Sequence, residues 1–329
     1  MNVHYIWIGP PKDNNQDVKG PIEMRSEFGP ECQIYFWCLD AMTTRFERKL
    51  ATVNRITHGI TVRSIEGALR SAGGRAFRWL YWYGDKEDWA VAQMLRVVQI
   101  STGEGSTVRD YVNAKNAFAY FLLYTWGGYV MDTNVMPDDI GRARLPEYDH
   151  FMSPLIGTKE TNIIGHDRII GNWLPRWRGG GRGGMCLAST VMSELRGNRI
   201  FRDPKQLRDD AASQQTLPNP ECWMLYSPQY NSTAWRALEA FLCSWERLLV
   251  IRARFQRGEE VAETYHACCG NAVIDALVHA VTHGDDGRCL RLDPRHCWTA
   301  EKVGETPKIK ALRIKKIYQN THKLQNVQW

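Results

Sequence analysis

Asp132, Thr133 and Asn134 close a short apolar run, Tyr129-Val130-Met131, that follows the paired glycines Gly127 and Gly128. A carboxylate at the tip of a buried strand is costly unless a cation pairs with it, and in nucleotide-using folds that partner is often a divalent ion carrying phosphates. Aspartate and asparagine also initiate turns, so the triplet alone leaves both readings open. Trp7 is the penultimate residue of a second apolar run, Val3 to Ile8; its indole face suits a flat pyrimidine base and suits a hydrophobic core equally. At the other end of the chain, Asn320, His322 and Trp329 place an amide, an imidazole and an indole in a segment of the kind that usually frays. There they either complete a site or stand in solvent.

These groups need elements to position them. Ala114, Ala117, Phe118, Phe121, Leu122 and Thr125 recur at three- and four-residue intervals, which predicts a helix with one apolar stripe. Thr107 and Asp110 supply a hydroxyl and a carboxylate for its first-turn amides, and Gly127-Gly128 end it, because glycine accepts the left-handed backbone of a helix C-terminus. Tyr129 to Met131 is then an interior strand, with Pro137 ending the unit. Upstream, Val3 to Ile8 predicts a first strand stopped by Gly9-Pro10. Pro21 to Phe28 is helix-prone, Cys32 to Asp40 a strand, Ala41 to Asn54 a helix and Ile60 to Ile65 a strand. This alternation implies an α/β fold, a three-layer sandwich with a mostly parallel central sheet. Such sheets bind ligands at the carboxyl ends of their strands, where Trp7 and Asp132 both fall.

The phrase from Phe118 to Asn134, with its helix, two glycines, strand and Asp-x-Asn, resembles the core of retaining glycosyltransferases of the GT-A fold. Those include clostridial-toxin-type glucosyltransferases, initiating mannosyltransferases and secreted arginine N-acetylglucosaminyltransferase effectors. The opening phrase Ile6-Trp7-Ile8-Gly9 and the closing segment Asn320 to Trp329 resemble the same family. The resemblance implies a GT-A-like domain over residues 1–329, with helical insertions, an aromatic one at about 66–105, and a C-terminal lid at about 317–329. It implies transfer of a hexosyl or N-acetylhexosaminyl group from a nucleotide-sugar donor, a UDP-sugar, with retention, to an acceptor such as a protein side chain. Polysaccharide or lipopolysaccharide synthesis and a non-catalytic nucleotide-sugar- or protein-binding module are the alternatives.

By the same resemblance, Trp7, Ile8, Asn116, Tyr120, Asp132 and Trp329 would bind the nucleotide sugar. A manganese or magnesium ion would be held by Asp132, Asn134, Asn320 and His322, with Asp132 and Asn134 serving catalysis. The metal would act as a Lewis acid on the leaving group. No general base is visible, and the donor phosphate itself would serve. The chain departs from the family where Asn134 replaces the second acid, which weakens the charge offered to a hard cation, and where Asn116 and Ala119 replace an aspartate and an arginine.

Composition bounds these readings. With 329 residues, 43% hydrophobic content and 13 tryptophans the chain is globular, and a net charge of +6 spread along its length gives no argument for nucleic acid. No run of 18 apolar residues predicts a membrane span, and residues 1–10 lack a Sec-type signal, so the expected location is the cytosol or, for a specialised secreted effector, a host. Nine cysteines, none in a C-x-x-C pair, fit reduced thiols, and His266 with Cys268-Cys269 suits a tetrahedral metal site poorly. The aromatic stretch up to Gly105 contains a helix over Lys86 to Ile100 and packs as core or lines a cleft. His166-Asp167-Arg168 and the glycine-rich Trp177 to Gly184 are either surface turns or phosphate contacts. Ser189 to Glu194 starts a helix, Asn198 to Pro220 is a long loop, and Phe151 to Ile156 is a short strand. Ser232 to Gln256 and Gly270 to Thr282 are helices. Lys308 to Lys316 is either an exposed basic edge strand or a source of cations for a diphosphate.

Overall fold

A period-two alternation of side chains along buried strands serves two cores at once. In the computed structural model, strand β1 (Asn2–Ile6) pairs in parallel with β2 (Gln33–Cys38), and β2 in parallel with β3 (Ile60–Ser64). On its other side β1 pairs in parallel with β4 (Gly128–Met131), and antiparallel β8 (Met224–Ser227) completes the order β3-β2-β1-β4-β8. Val130 and Leu225 enter one core, while Tyr129, Met131, Met224 and Tyr226 enter the other.

The structure describes residues 1–53, 59–75, 84–106, 108–138, 144–148, 151–152, 154–156, 219–220, 222–259, 298–303, 306–309 and 314–317. The expectations for residues 165–168, 177–184, 189–194, 198–218, 266–282 and the tail from 318 onward lie outside them.

One core lies under helices α3 (Ile65–Arg75), α4 (Gly84–Thr102), α5 (Val108–Thr125) and α6 (Ser232–Gln256), with Leu69, Met94, Phe118 and Phe241 buried together. The other lies under α1 (Lys19–Phe28) and α2 (Thr43–Val53), which bury Met24, Phe28, Phe46 and Leu50. Helices therefore cover both faces of a mostly parallel sheet, the expected three-layer arrangement. Within the region 66–105, α3 and α4 bury Leu69, Val91, Met94 and Val97 in this core, and residues 76–83, with Phe77, Trp79, Tyr81, Trp82 and Tyr83, lie outside the described residues.

Helix α5 departs from a one-stripe amphipath. Asn116, Ala119, Tyr120, Leu123 and Tyr124 are buried along with the predicted stripe, because α4 and α6 pack on its flanks. The glycines end it as expected: Gly127 adopts φ +63° and donates its amide to Leu122 O at 3.2 Å. Gly128, at φ +90°, lies so close to β1 that a Cβ there would overlap the Asn2 carbonyl oxygen.

Beyond the Asp132 turn the chain forms β5 (Val135–Pro137), which ends at Pro137, in a second sheet with β11 (Ile314–Lys316), β10 (Thr306–Ile309), β9 (Trp298–Val303), β6 (Pro154–Ile156) and β7 (Asn219–Pro220), in that order. Strand β11 is interior to this sheet, between β5 and β10, so the basic stretch is not an exposed edge there. No helix among the described residues is long and apolar enough to cross a membrane.

Candidate functional site

The ends of β1 and β4 define the site. Tyr5 pairs with Met131, so Asp132 and Trp7 emerge within two residues of the same register pair at the carboxyl ends of adjacent parallel strands. From β1 the sheet grows through β2 and β3 on one side and through β4 on the other. A strand order that reverses in this way opens a crevice, the usual place for a ligand in an open α/β sheet.

The Asp132-Thr133-Asn134 turn is held by backbone bonds from several elements. Asp132 N donates to Trp223 O and Val135 N to Asp132 O, both at 2.8 Å, while Gly20 N at the start of α1 donates to Thr133 O at 2.8 Å. Asn134 is tied to the residue after β11: its Nδ2 donates to Ile317 O at 2.8 Å and its carbonyl accepts from Ile317 N at 3.0 Å. The β5–β11 ladder thus fixes the turn against the second sheet.

Two ammonium groups converge on Asp132. Lys115 Nζ from α5 donates to Oδ1, and Lys316 Nζ from β11 donates to Oδ2 at 2.6 Å. All three side chains are largely buried, at 18%, 14% and 20% exposure for Lys115, Lys316 and Asp132. Burial by itself would raise the Asp132 pKa, but the charges and hydrogen bonds of Lys115 and Lys316 outweigh it and bring the carboxyl down to about 2. Lys316 also lies 5.9 Å from the ring centroid of Trp223, whose buried Nε1 has no hydrogen-bond partner among the described residues.

Lys316 belongs to the stretch read as a source of cations, whereas sequence reasoning passed over Lys115. The signal was present: Lys115 is the only charged residue between Asp110 and the end of α5, in a helix otherwise built for burial.

The other predicted residues divide by burial. Trp7 is partly buried; its Nε1 donates to Pro10 O at 3.0 Å, and the Lys12 ammonium sits 4.9 Å over its ring. Ile8 and Asn116 are almost wholly buried. Tyr120 is fully buried among the helices, its ring 6.3 Å from Phe241, and burial pushes its phenol well above the usual range. Asn320, His322 and Trp329 lie outside the described residues.

The donor set of the described residues does not fit the divalent cation that the resemblance implies. Asn134 Oδ1 is buried without a hydrogen-bond partner among those residues, an acceptor a cation could use. The single carboxylate, however, is already spanned by two ammonium groups, and among the described residues no cluster of three His, Cys, Asp or Glu side chains exists. At about 4 Å each unit of cation charge meets roughly 4 kcal/mol of repulsion from an ammonium at a protein-surface permittivity.

A separate cavity of about 670 Å³ lies on the helical face, lined by Trp37, Arg63, Ala72, Phe121, Trp126 and Tyr230 among others, and contains none of the predicted site residues. Its Arg63 guanidinium lies 5.9 Å from the Trp126 ring and 6.0 Å from the Tyr35 ring.

No family model and no curated protein matches the chain. Among solved structures it is similar to the PaToxG glycosyltransferase, at 10% identity over 84% of this chain and 68% of that one, with a TM-score of 0.41. It is also similar to the catalytic domain of alpha-toxin from Clostridium novyi, at 11% identity over 82% and 62% of the two chains and a TM-score of 0.30. A third is the UDP-bound glycosyltransferase domain from the YGT toxin, at 11% identity over 84% and 68% and a TM-score of 0.28. Likeness of this degree carries no inference about activity.

Proposed function

We propose that the chain is a glycosyltransferase that takes a sugar from a nucleoside diphosphate donor, a UDP-sugar, bound at the carboxyl ends of β1 and β4. The observation that carries this reading is the meeting of Trp7 and Asp132 at one strand-order reversal. These are the residues whose surrounding phrases resemble the GT-A family, and the carboxyl ends of adjacent parallel strands at such a reversal are the usual place for a ligand. The two ammonium groups beside Asp132 support it, since cations beside a departing diphosphate lower the barrier to its release.

The acceptor and the stereochemistry rest on the sequence resemblance: a protein side chain, with retention, on a single domain acting in a cytosol or as a secreted effector. A non-catalytic nucleotide-binding module is the second reading, favoured by the replacement of the second acid by Asn134.

Donor hydrolysis tests the proposal without knowledge of the acceptor. Purified protein is incubated with a panel of UDP- and GDP-sugars, and released nucleotide is assayed with manganese and with EDTA. Release from one donor above the protein-free rate is the expected result. Nucleotide binding without release assigns the module instead, and neither binding nor release across the panel removes the reading.

A further inference from the structure

Three layers of the fold each send one charged group to a single point. Lys115 comes from the helical layer, Asp132 from the end of a central strand and Lys316 from the second sheet, and both lysines hold the same carboxylate. Lys115, Asp132 and Lys316 together carry one net positive charge. A divalent cation approaching Asp132 meets two ammonium groups before it meets a free oxygen, and to coordinate the carboxylate it must displace at least one of them, breaking a largely buried ion pair.

A diphosphate meets the opposite field. Ammonium groups are point charges with three N–H donors each, able to turn from a carboxylate oxygen toward a phosphate oxygen while keeping a share of both. At the neighbouring strand end the Lys12 ammonium over Trp7 adds another positive charge. The tether is also rigid: the pairing of Lys315 with Met136 and of Lys316 with Val135 fixes the end of β11, and Asn134 is bonded to Ile317.

We infer that Lys115 and Lys316 take the place of a divalent cation at this site, binding the diphosphate of the donor directly, so that nucleotide binding is independent of metal. The inference rests on the proposed nucleotide-sugar site and names the chemistry by which that site holds its ligand. No covalent step is assigned to either lysine; both are diphosphate-binding residues.

The test is calorimetric binding of UDP to the full chain, in EDTA and in manganese. The dissociation constant is expected to agree within about threefold between the two buffers and to rise with ionic strength, as direct ion pairing requires. Lys115→Ala and Lys316→Ala are each expected to weaken UDP binding by about tenfold, the scale of one charge-assisted contact, with Lys316→Arg retaining most of the affinity. Circular dichroism of each variant separates lost binding from lost fold, and the wild-type comparison in EDTA needs no variant at all. UDP binding that appears only with manganese overturns the inference while leaving the nucleotide-sugar reading intact. Absence of UDP binding in both buffers overturns the two together.

Discussion

Among the described residues, His4 couples folding to pH through a single buried ring. Its ring is fully buried on β1; Trp37 Nε1 donates to Nδ1 at 3.1 Å, and Nε2 lies 3.0 Å from Gly127 O. An indole N–H only donates, so Nδ1 accepts and the proton rests on Nε2, which donates to the carbonyl. Burial lowers the pKa from 6.5 to about 4, with the Gly127 bond opposing it. The unfolded chain therefore takes up the proton first as the pH falls. Stability from neutral His4 is complete above about pH 6.5 and is lost progressively toward pH 4, amounting to about 3 kcal/mol. Asp132 acts in a lower window, since its ion pairs persist until the pH falls from 3.8 toward about 2. Urea midpoints measured between pH 4 and 7 are expected to fall with acid in the wild type and to flatten in His4→Gln; a slope unchanged by the substitution would remove His4 as the cause. Nothing in the run Val3 to Ile8 sets His4 apart, because its significance comes from two partners distant in sequence, Trp37 and Gly127.

At the level of elements, short-range chemistry was readable and long-range pairing was not. The periodicity of α5 and α6 and the paired glycines between α5 and β4 are local signals, and those elements formed where they were expected. Strands β5 and β11 have three residues each, too few for a period, and among the described residues β5 pairs with β11 alone. That pairing brings Lys316 to Asp132, so the meeting of these two members of the three-residue cluster is hidden from any local reading. Gly20 is a similar case: it reads as an ordinary residue before a proline, yet a Cβ on it would sit 2.5 Å from the carbonyl oxygens of Thr133 and Val135. Backbone atoms cannot rotate away as a side chain would. Gly20→Ala is expected to cost about 2 kcal/mol through overpacking and to weaken UDP binding, because relief requires the Asp132 turn to move. Chemical denaturation and calorimetry measure the two effects; full stability with full binding would show that the α1 contact does not fix the turn.

For the whole molecule, the consequence is a coupling between ligand and fold. The central sheet, the helical layer and the second sheet meet at Asp132 through Lys115 and Lys316, so a ligand that engages both lysines fastens three layers that must separate on unfolding. A ligand bound only to the native state stabilises it by about 2.7 kcal/mol at a hundred times its dissociation constant. For a chain of 329 residues that corresponds to a rise in melting temperature of roughly 3–5 °C. UDP is expected to produce this shift and UMP a smaller one, because a single phosphate has fewer oxygens to share between two ammonium groups held apart by a carboxylate. The Lys316→Ala variant should lose most of the difference between the two nucleotides while keeping its response to the uridine, which the proposed site seats at Trp7 rather than at the cluster. Thermal scans of both proteins with each nucleotide decide the matter: equal shifts for UDP and UMP in the wild type would place the second phosphate away from Lys115 and Lys316, and the three layers would then be joined by Asp132 for stability alone.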